Sequence, residues 1–282
     1  MSRRGGGGGP SLRIGGAVIL AIVAFALLGP LISGHGAEVT DMSNRFSGPS
    51  RQHWLGTDNF GRDLWVRMAL GARLSLTVAL TSTGIACVLG TLVGLLTGYL
   101  GGWVDLLVMR VVDVFLGFPP IILALAIVAA LGPGAENLIA SLVAVLWAEY
   151  ARVVRSMALS EREQGYVEAA RAIGATPLRI MLREVLPNTL GPILVLATLG
   201  LGTAIIAESG LSFLGFGVEP TTPSWGWALA TGTRYIRSDP WLSTVAGLAI
   251  MISVLGFNLL GDGLRDRLDP RGVVRLARRE EA

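Results

Sequence analysis

Lysine is absent from this sequence: all 23 basic residues are arginine. A P-loop needs its lysine on the nucleotide phosphates, so the chain carries no Walker A site. Schiff-base and pyridoxal chemistry are excluded for the same reason. Cysteine occurs once, as Cys87 inside an apolar run. This rules out an intramolecular disulfide and a cysteine-based metal site, and Cys87 reads as a small buried hydrophobe. Histidine occurs twice, at His35 and His53, too few and too far apart in sequence to indicate a metal centre unaided. No Gly-x-Ser-x-Gly nucleophile motif is present. Charge is also scarce, at 15% of residues against about 25% in a soluble domain. No catalytic, cofactor-binding or metal-binding residue is expected, and the chain does not read as an enzyme. The small positive net charge does not point to nucleic acid, because the arginines cluster beside apolar runs, where membrane topology accounts for them.

What the sequence does have is apolar length. Of its 282 residues, 52% are hydrophobic, and six runs are long enough to cross a hydrocarbon core of about 30 Å. They lie near 14–33, 74–100, 104–131, 138–157, 189–207 and 243–260. The first could be taken for a signal peptide, but it is longer than a usual h-region and more spans follow. The expected fold is an all-α membrane protein with six transmembrane helices. Residues 1–13, with five consecutive glycines, form a flexible cytoplasmic tail. Residues 34–71 form an extracytoplasmic insertion. Residues 72–262 form a five-helix core, and 263–282 a charged cytoplasmic tail. Sixteen of the 23 arginines fall on the side of both termini and of the loop at 160–188. That bias places those parts in the cytoplasm. The insertion is an exception, with four arginines of its own and Arg73 just after it.

The loop at 160–188 is the longest polar passage in the second half. Ser160 and Glu163 have capping-box spacing. Val167, Ala170 and Ile173 recur at helical spacing. Gly174 supplies a left-handed helix end. Thr176-Pro177 starts a second helix, with Leu178, Met181, Leu182, Val185 and Leu186 on one apolar face. Pro187 closes the unit. Within it, Glu168-Ala169-Ala170, then Gly174, then Val185-Leu186-Pro187, resembles the EAA loop of ABC importer permeases.

Other stretches resemble the dipeptide, oligopeptide and nickel branch of that family. They are Leu55-Gly56-Thr57-Asp58 with Gly61-Arg62-Asp63, Arg110-Val111-Val112-Asp113 with Gly117-Phe118-Pro119-Pro120, and Glu208-Ser209-Gly210-Leu211-Ser212-Phe213-Leu214-Gly215. The resemblance covers nearly the whole chain. It implies the type I permease fold, N-in and C-in, in the plasma or inner membrane. The implied partners are a homologous second permease, two ATP-binding-cassette subunits that hold ATP and Mg, an extracytoplasmic substrate-binding protein and the lipid bilayer. Glu168, Ala169, Ala170, Arg171, Gly174 and Pro187 would couple to the ATPase. Peptides are the first expected cargo and nickel complexes the next. The rival reading is an ATP-independent secondary transporter or channel using Asp113, Glu149 and Glu208.

Several local expectations accompany this reading. A separate amphipathic helix with Leu64, Trp65 and Met68 lies on the outer bilayer surface, capped by Thr57 or Asp58. Asp58 and Asp63 serve turns and caps rather than a cation. Arg110 pairs with Asp113 and Glu149 with Arg152 at helical spacing, while Arg155 reaches lipid phosphates or a partner subunit. Pro119-Pro120 breaks the third span, and with Asp113 contributes to packing or gating. Glu208 opens a broken or re-entrant segment, where it caps freed amides or lines a pathway. The loop at 208–241, rich in proline and tryptophan, faces a partner.

Overall fold

The computed structural model describes residues 8–219 and 221–268. Its helices are α1 (Gly8–Ser33), α2 (Leu64–Leu100), α3 (Gly102–Gly117), α4 (Pro120–Leu131), α5 (Ala135–Glu161), α6 (Gly165–Ala172), α7 (Pro177–Ile180), α8 (Leu186–Phe213), α9 (Trp225–Arg234) and α10 (Trp241–Leu268). A five-residue π-helical turn, Met181–Val185, joins α7 to α8. Among the described residues there is no strand, only an isolated bridge between Thr57 and Asp63.

Among the described residues, five helical stretches are long and apolar enough to cross a membrane: α1, α2, α5, the Pro177–Phe213 rod that contains α8, and α10. The pair α3 and α4, bent by 92°, is long and apolar enough to make a sixth as one broken span. Pro119 has no N–H to continue the ladder and disfavours helix at Phe118, so the break falls between them. At about 1.5 Å per residue neither half spans the bilayer alone.

The most intimate helix pair is α2 with α5. Gly90, Gly94 and Gly98 fall every fourth residue on α2 and lie directly against the α5 backbone. A Cβ on Gly94 would sit 2.5 Å from the carbonyl oxygen of Ala151, and one on Gly98 would sit 2.6 Å from that of Arg155. Small residues at this spacing let backbones approach where no hydrophobic effect drives helices together. The main core joins Leu64, Met68, Leu76, Leu142, Ile205 and Trp225.

Loop contacts define two ends. At one end, the Trp241 indole donates to the carbonyl of Leu55 at 2.8 Å, Phe46 packs against Tyr235 with the rings tilted by 58°, and Gly134 N–H donates to Gly217 O. At the other, Arg162 donates to Gly98 O and Leu268 lies beside Gly191.

Four local expectations need correction. First, no separate amphipathic helix lies on the surface: α2 begins at Leu64 and runs unbroken for 37 residues. Its cap is Asp63, whose Oδ1 accepts from Val66 N–H at 3.0 Å, while Asp58 closes the preceding turn on the N–H groups of Phe60 and Arg62. Arg67 and Arg73 precede the expected start of the second span near residue 74, yet the helix runs through them. Both are satisfied within the fold, Arg67 by Asp58 and Arg73 by the carbonyl of Ala26.

Second, no break follows Glu208. The helix continues to Phe213, and Glu208 is fully buried. Its carboxyl accepts from Ser75 at 2.7 Å, Ser209 at 3.1 Å and Ser212 at 3.0 Å. It caps no freed amide and links α8 to α2. Two glycines serve close packing, since a Cβ on Gly217 or Gly226 would meet Ser212 Cβ at 2.7 or 2.6 Å, while Gly210 faces open space and Gly215 follows the helix end at φ +90.

Third, the tryptophans of 208–241 divide: Trp225 turns inward, 1% exposed and donating to Met68 O at 3.0 Å, while Trp241 is 40% exposed. Fourth, residues 8–13 and 263–268, read as tail, are helical. The rest of the two tails, residues 1–7 and 269–282, and Pro220 of the outer loop lie outside the described residues.

The serine cradle yields a measurable expectation. Glu208→Ala strips three hydroxyls of their acceptor. Only the Ser75 bond runs between helices; such a bond in a membrane contributes roughly 0.6 kcal/mol or somewhat more, and the two α8 serines can fall back on their own helix carbonyls. The expected loss is roughly 1 kcal/mol, with Glu208→Gln, which keeps an acceptor oxygen, losing less. The thermal midpoint of the detergent-solubilised protein checks the order wild type, Gln, Ala.

Candidate functional site

The polar passage between α5 and α8 folds as a short helix held at three points. Ser160 lies inside α5, which runs on to Glu161, so the expected capping box does not form. The N-cap of α6 is Gln164, without a side-chain bond. Val167 is fully buried among Leu95, Tyr99, Val154, Ile180 and Val185, which seats α6 on the ends of α2, α5 and α8. Arg171 lies over the Tyr99 ring, 5.3 Å from its centroid, tying α6 to the last turn of α2. Tyr166 donates to the Glu161 carboxylate and accepts from Asn188 Nδ2 at 3.2 Å, joining α6 to both flanking spans. Burial and the Glu161 carboxylate push the Tyr166 hydroxyl up to about 12, so it remains a donor at neutral pH.

Helix α6 ends in a Schellman motif. Gly174 has φ +81; its N–H donates to Arg171 O and that of Ala175 to Ala170 O, both at 3.0 Å. Thr176 Oγ1 caps the following helix through Arg179 N–H, with Pro177 at its first position. Pro187 does not close the unit. It sits in the first turn of α8, inside a rod that runs from Pro177 to Phe213. A proline in mid-helix clashes with the carbonyl four residues back. The π-turn just before it, where Leu186 N–H reaches back to Met181 O, widens the backbone at that place.

The expected apolar face of the second helix also divides. Met181 and Val185 are buried, while Leu178 and Leu182 are exposed. Ile173 is 85% exposed. Glu168, Ala169 and Arg171 are exposed too, and Ala170 is half-buried. Among the described residues Glu168 has no side-chain partner. The result is a knob with a polar and apolar tip, rigidly anchored at its base. Displacing it would pull on α2, α5 and α8 together. Tyr99, Glu161, Tyr166 and Asn188 supply that anchoring and escaped sequence reasoning. The one available signal was an aromatic residue, Tyr166, in an otherwise polar loop.

Near the same end, α3 and α5 are cross-linked by charge. Asp113 pairs with Arg152, and Asp105 holds Arg155 through both carboxylate oxygens, with Nη2 at 2.6 Å from Oδ2. The expected pairs Arg110–Asp113 and Glu149–Arg152 do not form among the described residues, nor is Arg155 left for lipid. Within-helix neighbours were within reach, but the two arginines of α5 lie one turn apart facing the aspartates of α3. Beyond the Pro119-Pro120 break, a cavity of about 270 Å³ opens between α4, α5 and α8. It is lined by Pro120, Ala124, Leu142, Leu146, Thr203 and Leu211, among others. Glu208 directly follows the lining residue Ala207 and turns its carboxyl to the serine side.

Residues 90–273 match the family described as binding-protein-dependent transport system inner membrane component. The chain is 45% identical to a dipeptide transport system permease protein, DppC, of Alkalihalophilus pseudofirmus, across 92% of this chain and 85% of that one. It is 45% identical to a putative peptide transport system permease protein of Brucella suis, across 93% and 88%. It is 42% identical to the glutathione transport system permease protein GsiD of Escherichia coli, across 90% and 84%. The chain belongs to the binding-protein-dependent transport system inner membrane components, the multi-pass membrane permeases of ABC importers.

Proposed function

We propose that this permease passes di- and oligopeptides into the cytoplasm as one of two homologous membrane subunits, with two ATPases docked at the α6 end and a binding protein at the opposite, extracytoplasmic end. Both termini then lie in the cytoplasm. ATP and Mg belong to the ATPases, and this chain contributes no catalytic residue. The observation that carries the reading is the anchored knob: Glu168, Ala169, Arg171 and Ile173 face outward on a helix that three spanning helices hold fast. ATPase closure pushes the knob, and the rods above it tilt. The α3–α4 break at Pro119-Pro120, steadied by the Asp113–Arg152 pair, is the natural place for the pathway to open. Glu208 holds α8 against α2 beside it. The peptide relatives supply the cargo class.

Reconstitution of the complete complex in liposomes tests this. Uptake of labelled di- and oligopeptides should require both ATP and the binding protein. Uptake driven by a proton gradient without ATP would return the chain to the secondary-transporter reading. ATP-driven uptake of a nickel complex but no peptide would overturn the cargo alone.

A further inference from the structure

The only two histidines of the 282-residue chain converge on one carboxylate, at the end of the molecule opposite α6. His35 follows α1 by two residues, His53 lies in the insertion, and Asp63 is the N-cap of α2. Asp63 uses Oδ1 for the cap, accepting from Val66 N–H at 3.0 Å. Its Oδ2 is left to the imidazoles, with His53 Nδ1 at 2.8 Å and His35 Nδ1 at 3.8 Å. The two rings lie 4.9 Å apart. One donor atom from each residue falls within 4.8 Å of the others. Asp63 is buried, His53 half-buried and His35 exposed, so the cluster has a solid floor and an open mouth.

We propose that His35, His53 and Asp63 bind one divalent transition-metal ion of borderline softness, Zn²⁺ or the similar Ni²⁺ and Co²⁺. Two imidazoles and one carboxylate are the donor set of such ions; Ca²⁺ and Mg²⁺ require oxygen ligands. Metal–ligand bonds of about 2.0–2.2 Å place donors about 3.3 Å apart in a tetrahedral centre. The two histidine–aspartate distances, 2.8 and 3.8 Å, bracket that value, and with all three donors within 4.8 Å of one another side-chain rotations that release the His35 Nδ1 contact to Ser33 Oγ close the site. On binding, the ion replaces the proton on His53 Nδ1: that proton leaves to solvent while Nε2 takes one up from solvent, so the ring changes tautomer and stays neutral. Three protein ligands leave a fourth position for water. The ion joins the exit of α1, the insertion and the start of α2 in one clip. The inference stands independently of the cargo and of the ATPase coupling.

The test uses the complete complex, purified through a tag without histidine and stripped with a chelator. Zn²⁺ is titrated calorimetrically against a competing chelator, and Co²⁺ is followed by its visible absorption. The wild type should bind one more equivalent of Zn²⁺ than the His35→Ala/His53→Ala variant, and only the wild type should show the added Co²⁺ band. If the double variant fails to assemble, His35→Ala alone decides, since it leaves the His53–Asp63 bond intact. It should weaken Zn²⁺ binding at least tenfold. Equal stoichiometry in wild type and double variant, or equal affinity in wild type and His35→Ala, would overturn the site.

Discussion

A Gly174→Pro complex is expected to assemble and hydrolyse ATP, yet to lose the stimulation of that hydrolysis by the binding protein and at least nine-tenths of its uptake. Gly174 sits at φ +81, whereas a proline ring fixes φ near −65°. The substitution also removes the N–H that closes the Schellman motif on Arg171 O. Helix α6 can then no longer end where it does, and the knob loses its fixed angle to α7 and the rod above. Gly174→Ala keeps the N–H and incurs only the left-handed penalty of about 1–2 kcal/mol, so a few-fold loss of uptake is expected. Gly165 makes the control. It lies on the same short helix, with open space where a Cβ would go and no positive φ, and Gly165→Ala should transport normally. Paired uptake and ATPase measurements on the three variants decide the matter. Wild-type transport by an assembled Gly174→Pro complex would remove the lever from the mechanism.

The second large effect falls on assembly. Gly94→Leu should leave little or no folded protein in the membrane, and Gly94→Ala an intermediate amount. The atoms that a side chain at Gly94 would strike are the Ala151 carbonyl oxygen at 2.5 Å and the Arg155 amide nitrogen at 2.8 Å. These are backbone atoms of a helix and cannot swing aside as a side chain would, so α2 and α5 must separate. Overpacking in a close-packed interior typically costs 1–3 kcal/mol, occasionally more. Here the separation also disturbs Gly90 and Gly98 on the same stripe. The matched control is Gly84→Leu, on the same helix, where a new side chain meets nothing within 4 Å. Fluorescence-detected size exclusion of both variants reads the difference. If Gly84→Leu and Gly94→Leu were equally depleted, poor insertion of α2 rather than its fit against α5 would be the cause.

The sequence by itself determined the class, the number of crossings and the character of the loop at 160–188. These are local properties. Apolar length against bilayer thickness picks out spans, two adjacent prolines must interrupt a helix, and Gly174 marks a left-handed position whatever surrounds it. What only the tertiary structure decided is which groups meet. Asp113 had an arginine three residues away and bonds one on another helix. Glu208 looked like the start of a break, because nothing in its own segment announces that Ser75, 133 residues earlier, will stand opposite. Arg67 and Arg73 lie before the expected start of the second span, and partners from the insertion and α1 allow the helix to run through them. His35 and His53 looked too distant to act together until Asp63 drew the two ends of the insertion to one point. Helix periodicity specifies which face a residue occupies on its own element. The choice of the opposing element is made by close packing, above all at Gly90, Gly94 and Gly98, and the charges and hydroxyls then pair with whatever that packing brings within reach.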